Sequence, residues 1–350
     1  MINTTPPKIL IFDAIQNIPL GREIHDALPC PNIYINANKL KQTSFYHIKR
    51  SIKKIYCSFK GNTKYFCHPK ASASMTKTLV HHKPNIVLVI GFFYPYIDRD
   101  QLLLLQKKLN FKLFLLDTDT ANRMESYQKL IHFVQHDLSA YDHIFSFSKG
   151  IMNFLCNLGI KNVDFFPYGA KVIPAENKTE TNDIIFIGNP DIRRVACLES
   201  IKQHNITIYG RRCGRYKPLV SAELWQKIQT KDIWGTPLYD LLRQYKIVVN
   251  INTGVWCSLE TGVNLRVFEA LSLKRFLLTE YCEELHDLFE VGKEIETFRN
   301  QKELNEKIIY YLQHDDERQK IAERGYQKFL TCYTWEKRSQ SLINRIKELL

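Results

Sequence analysis

The sequence predicts an α/β protein made of two doubly wound, Rossmann-like parallel-sheet domains facing a central cleft. Apolar runs of strand length alternate with amphipathic stretches of helix length along the chain, the pattern of strands joined by helical crossovers. Pro167 to Asn182 (PYGAKVIPAENKTETN) interrupts that alternation with two prolines and a polar, Thr-rich tail, after which it restarts. With 350 residues, 45% of them hydrophobic, the chain has enough apolar mass for two cores of ordinary domain size.

In the first half Lys8 to Phe12, Asn85 to Ile90, Lys112 to Leu116, His143 to Phe147 and Val163 to Phe166 read as buried strands. Asp100 to Leu109, Arg123 to Gln135 and Lys149 to Leu158 read as the helices between them. In the second half the strands are Asp183 to Ile187, Ile206 to Tyr209, Ile247 to Ile251 and Phe276 to Thr279. Helices are expected at Ile192 to His204, Pro237 to Gln244, Val267 to Ser272, Lys302 to Leu312, Asp315 to Leu330 and Glu336 to Leu350. This sets domains at 1–170 and 183–335, a linker at 171–182, and a closing helix, 336–350, that packs back toward the first domain.

Several classes are excluded. No period of 20 to 50 residues repeats, so the chain is not a solenoid. The longest apolar run, Ile86 to Ile97, is broken by Gly91 and Pro95 and is too short to span a bilayer. The N-terminus lacks the long apolar segment of a secretory signal. Nine scattered cysteines with no CxxC pair read as reduced thiols, which points to a cytoplasmic protein.

The formal charge of +13 is unevenly spread: 22 Lys/Arg against 11 Asp/Glu before residue 175, and 27 against 25 after it. The first half therefore faces something anionic. Between Lys39 and Lys83 the residues Phe45, Ile48, Ile52 and Ile55 recur at helical spacing, with Lys49, Arg50, Lys53 and Lys54 on the other faces. Such a helix is either half-buried with a solvated basic face, or attached to anionic lipid or a lipid-linked phosphate of an acceptor at the inner face of a membrane. A nucleic-acid partner is not expected, because no zinc-finger, RNP-type or helix-turn-helix signature accompanies the charge.

In open α/β sheets ligands bind beyond the carboxyl ends of strands, so the loops that follow each strand are the candidates. After Asp183 to Ile187 come Gly188 and Asn189, with Arg193 in the first turn of the next helix, an arrangement suited to phosphate. Gly210 and Arg211 follow the next strand. The richest segment, Asn250 to Ala270, ends a buried strand at Asn250 and Asn252 and then runs through Gly262-Val263-Asn264 into a helix carrying Arg266 and Glu269. The three amides suit a diphosphate, Arg266 a bidentate contact to it, and Glu269 a ribose diol. Alternatively, Arg266 and Glu269 form a surface i,i+3 ion pair.

This segment, Gly262 to Ala270, together with Phe276 to Thr279 and Leu288 to Glu294, resembles the CgeB-like glycosyltransferases of the GT-B superfamily, relatives of its group 1 enzymes. The resemblance continues in Phe186-Ile187-Gly188 with Arg193, Tyr209-Gly210, Tyr239 to Asn250 and Tyr311 to Gly325, and covers roughly residues 183 to 345. It implies a GT-B fold and transfer of a sugar from a nucleotide-sugar donor, held by the C-terminal domain, to a glycan, glycolipid or protein acceptor read by the N-terminal one. It also places Glu269 on the donor ribose, Gly262, Val263 and Asn264 on the pyrophosphate, and Gly235 and Tyr239 in the base-binding region. Group 1 enzymes often carry two Glu separated by seven residues. Here the first falls on Thr261, and the nearest acid is Glu260.

An inverting transferase needs a base near the acceptor hydroxyl, and a carboxylate at a strand's carboxyl end can serve. Asp13, Asp117 and Asp119 stand at such ends; helix capping is the competing role for the latter pair. His81-His82 reads as a solvated turn, and neither His136-Asp137 nor Asp142-His143 has metal-ligand spacing. No cofactor and no metal are expected.

Overall fold

The computed structural model describes residues 7–15, 18–59, 66–118, 120–124, 126–174 and 180–350. The chain divides into two compact units, one formed by Met1–Phe147, Ile151–Phe166 and Leu342–Leu350, the other by Ser148–Gly150 and Pro167–Ser341.

The first unit is a six-stranded parallel sheet. Its strands are β1 (Ile9–Asp13), β2 (Asn32–Asn36), β3 (Ile86–Ile90), β4 (Lys112–Asp117), β5 (His143–Ser146) and β6 (Val163–Phe165), in the order β2-β1-β3-β4-β5-β6. β1 and β3 are buried at every position, as strands covered on both faces must be. Strand order reverses between β1 and β3, so the crevice of this unit opens at Asp13 and Gly91. Helices start on local signals: Asp98 accepts from the amides of Asp100 and Gln101 and so opens the helix Arg99–Leu109.

The second unit repeats the design with β7 (Asn182–Ile187), β8 (Ile206–Tyr209), β9 (Ile228–Gln229), β10 (Tyr245–Asn250), β11 (Phe276–Glu280) and β12 (Glu296–Phe298), in the order β12-β11-β10-β7-β8-β9. All pairs are parallel, with Ile184 opposite Ile247 and Leu278 opposite Glu296. The core between sheet and helices is built from Ile184, Phe186, Ile247, Val249, Phe276 and Leu278 against Ile201, Leu304 and Ile308. The chain leaves β7 toward β8 and β9, then crosses back to β10, so the β7/β10 junction is the switch point.

The structure departs from the sequence expectation in several places. β2, β9 and β12 are additional strands, all at sheet edges, and β2 is only half-buried. The stretch Arg123 to Gln135 is two helices, Thr120–Arg123 and Tyr127–His136. The helix from Ile192 stops at Glu199, where the Ser200 hydroxyl donates to the Cys197 carbonyl and competes with the backbone ladder. Leu20–Ala27 and Ser72–His82 are further helices, and His81 and His82 form the last turn of the second, not a free turn. The helix predicted around Ile48 is present as Tyr46–Phe59, but Ile48, Ile52, Ile55 and Phe59 are exposed. Among the described residues no helix is long and apolar enough to cross a membrane.

Candidate functional site

In the second unit the carboxyl ends of β7, β10 and β11 are tied together by one buried carboxylate. Glu280, the last residue of β11, accepts both guanidinium branches of Arg193, one at 2.8 Å, and the Asn252 amide at 2.9 Å. Arg193 also donates to the Asn252 carbonyl at 3.1 Å. Its neighbour Arg194 turns the other way and donates to the carbonyls of Ile251 (2.9 Å) and Asn189 (2.7 Å). Burial pulls the Arg194 pKa down to about 10, still leaving it charged at neutral pH. Asp191 caps the helix Ile192–Glu199 through the Arg194 amide and takes the Gly254 amide on its other oxygen, at 3.0 Å. The loops after β7 and β10 are thereby locked to each other.

The segment after β10 is not an open loop. It forms a short helix, Gly254–Ser258, and then runs through Thr261 and Gly262 to Asn264, which caps the helix Leu265–Ser272 by accepting from the Arg266 amide at 2.9 Å. The Asn264 side chain also donates to Asn250, and Asn250 to Thr279, chaining the helix start to β10 and β11. Gly262 lies against Asn252 so closely that a Cβ there would sit 2.1 Å from its amide nitrogen. The Asn252 side chain is 1% exposed with neither polar atom hydrogen-bonded. An unsatisfied buried amide costs about 1–3 kcal/mol.

Arg266 and Glu269 do form an i,i+3 ion pair, at 2.6 Å, but it is not a surface pair: the side chains are 7% and 9% exposed. Trp234 covers the guanidinium at 6.0 Å. Next to it Gly235, at φ +65° with nothing near its missing Cβ, opens the helix Thr236–Leu242 that holds the buried Tyr239.

Other candidates have structural partners. A Cβ on Gly210 would meet the Gly188 carbonyl at 2.3 Å, so this glycine permits close approach of the β7 and β8 ends. Arg211 pairs with Asp232 at 3.4 Å. In the first unit Asp13 is buried, accepts from Tyr34 Oη at 2.6 Å and the Ile15 amide at 2.9 Å, and has the missing Cβ of Gly21 against its carboxyl. Burial raises its pKa above the usual carboxylate range. Asp117 is buried too and caps the next helix through the Thr120 amide (3.0 Å) and hydroxyl (2.8 Å). Asp119 lies outside the described residues. Lys49, Arg50, Lys53 and Lys54 are exposed on their helix.

Sequence reasoning missed Glu280, Asp191 and Glu284. Glu280 had a readable signal, because it is a charge closing an apolar strand at the carboxyl edge of the sheet. A cavity of 450 Å³ is lined by Arg193 and Glu280 at this edge. A larger one, 740 Å³, lies at the amino ends of the strands, beside Lys246 and Arg275. There Arg275 and Arg318 share Glu180, and Arg318 pairs with Asp315 as well.

Residues 192–344 match the family model described as glycosyl transferase-like. No curated protein sequence matches the chain. Among solved structures, the chain is similar to Anabaena HepE in complex with UDP and glucose, with TM-score 0.65 and 11% identity over 98% of this chain and 100% of that one. A glycosyltransferase from Rickettsia africae gives TM-score 0.62 at 10% identity, over 99% of both chains. TarM gives 0.59 at 15% identity over 79% of this chain, which spans 57% of TarM's length. These likenesses establish the GT-B fold. The family match, residues 192–344, makes that part of the chain similar to glycosyltransferases.

Proposed function

We propose that the protein transfers a sugar from a nucleotide-diphosphate-sugar donor, bound at the carboxyl edge of the second unit, to a glycan, glycolipid or protein acceptor, and that it does so without a metal. The observation that carries this reading is the buried Arg266–Glu269 pair at the start of the helix Leu265–Ser272, directly after Gly262, Val263 and Asn264. A leaving nucleoside diphosphate develops negative charge as the glycosidic bond breaks. Fixed amides, a helix N-terminus and a guanidinium stabilise that charge at no cost of reorganisation. Arg266 is then a diphosphate ligand, and Glu269 both orients it and accepts from the ribose hydroxyls. Asn252 gains in the diphosphate the partner that its buried amide lacks.

Arg193 has a different part, since its guanidinium is committed to Glu280; it fixes the loop that carries Asn252. Gly188, Asn189, Gly210 and Arg211 shape the rim, and Gly235 and Tyr239 border the base. Of the candidate bases, Asp13 has the placement at its own sheet's switch point and a carboxyl whose pKa burial raises toward working pH. Asp117 is occupied as a helix cap. HepE is a complex with UDP, which makes uridine the first base to test. The proposed setting is the cytoplasm, at the inner face of a membrane.

A second reading, nucleotide binding without turnover, is favoured by one observation: the place of the first acid is Thr261, a fully buried residue turned into the protein. Incubation with UDP-, GDP-, dTDP-, CDP- and ADP-sugars, plus a mixture of oligosaccharides and glycolipids, separates the two. Release of nucleoside diphosphate that depends on acceptor supports transfer. Binding of a diphosphate with no release from any donor supports the second reading.

A further inference from the structure

The helix Tyr46–Phe59 presents its apolar side to solvent. Ile48, Ile52, Ile55, Tyr56 and Phe59, with Phe45 just before the helix, are 55–88% exposed. At helical spacing these six fall within an arc of about 100°. Among the described residues of the helix, Tyr46, buried and stacked 5.7 Å from the His68 ring, and Cys57, half-buried, are the ones that face the body of the first unit. At the same spacing Lys49 lies about 20° and Lys53 about 60° beyond one edge of the arc, with Arg50 and Lys54 on the far side of the helix, all four exposed. No Asp or Glu occurs between Asp26 and Asp98, an interval that holds 11 Lys and Arg.

We propose that this face docks on an anionic lipid bilayer, with the apolar arc in the interface and Lys49 and Lys53 at its edge on lipid phosphates. The surface needs a partner that takes up both features. A second copy of the chain would cover the arc but set one acid-free basic face against another. Nucleic acid would neutralise the cations and leave the isoleucines in water. A bilayer surface takes the apolar arc at the level of the head groups and draws the cations by its negative potential. The inference is independent of the donor-site reading.

Co-sedimentation with vesicles tests it, using phosphatidylcholine alone and phosphatidylcholine mixed with phosphatidylglycerol, at low and high salt. Wild type is expected to bind the anionic vesicles and to release at high salt. Lys49→Ser with Lys53→Ser is expected to weaken binding about tenfold or more, and Ile52→Ser with Ile55→Ser to abolish it. Both variants should keep the melting temperature, because those side chains are exposed. Tryptophan emission from Ile52→Trp should shift to the blue on anionic vesicles. Three results would overturn the proposal: no binding of wild type at low salt; binding unchanged by the isoleucine variant; or a lipid-free dimer that the isoleucine variant dissociates. Retention on duplex DNA that responds to the lysine variant alone would also count against it.

Discussion

The hydroxyl of Thr261 donates to Oε2 of Glu284 at 2.8 Å, and the other oxygen of that carboxylate accepts from Ser148 Oγ at 3.0 Å and the Gly150 amide at 3.1 Å. Thr261 and Glu284 are both buried, so the position that a second acid would hold is filled by the donor to an existing one. Glu284→Ala removes the carboxylate that Thr261, Ser148 and the Gly150 amide donate to, and is expected to cost about 3 kcal/mol. Glu284→Gln should cost less. Thr261→Glu, which restores the two-acid spacing, sets two carboxylates together and should also lower stability, as chemical denaturation will show.

Glu280 is the hinge of the donor-site account. Glu280→Ala strips Arg193 of its partner and frees the Asn252 amide, so both stability and ligand affinity should fall, the former by about 2–3 kcal/mol. Arg193→Lys keeps the charge but loses the paired contact, and should show the same direction at smaller size. Parallel melting curves and titrations with nucleoside diphosphate check both.

Gly210 separates packing from binding. A side chain there meets the Gly188 carbonyl at 2.3 Å, so Gly210→Ala is expected to destabilise by about 1–3 kcal/mol while leaving affinity for a diphosphate within about threefold. Loss of affinity without loss of stability would return Gly210 to the ligand.

Asp137 in the first unit makes a pH-dependent contribution. It is buried, accepts from Tyr141 Oη at 3.2 Å, and its pKa is pushed up by burial from 3.8 to about 7. Unfolding therefore releases its proton between about pH 4 and 7, so this group lowers stability as pH rises through that window and imposes its full penalty above it. Asp137→Asn should raise the melting temperature at pH 8 and do little at pH 4. An equal effect at both would show that Asp137 is not protonated in the native state.

The architecture was legible where strands are buried on both faces, because runs such as Ile86 to Ile90 admit no other reading at that length. β2 was missed because its apolar run is only Ile33-Tyr34-Ile35, set between two Asn at a half-buried edge. The helix Ser72–His82 was missed because only Met75 and Leu79 face the core amid Ser, Thr and Ala. At the site, the glycines and the Arg266/Glu269 spacing were visible as a motif. What sequence did not carry was partnership: that Arg193 belongs to Glu280, Asp117 to Thr120, and Thr261 to Glu284. These are contacts between segments distant in sequence or between a cap and its own turn, and local pattern does not rank them.

In the proposed function the second unit holds a nucleoside diphosphate on Arg266 and Glu269. Thermal stability against UDP, GDP, dTDP, CDP and ADP, for wild type and Glu269→Ala in parallel, tests it most directly. One diphosphate at about a hundredfold excess over its Kd should add about 2.7 kcal/mol to wild type, and much less to Glu269→Ala when each protein is compared with its own unliganded form. No rise with any diphosphate, or an equal rise in the variant, would contradict the account.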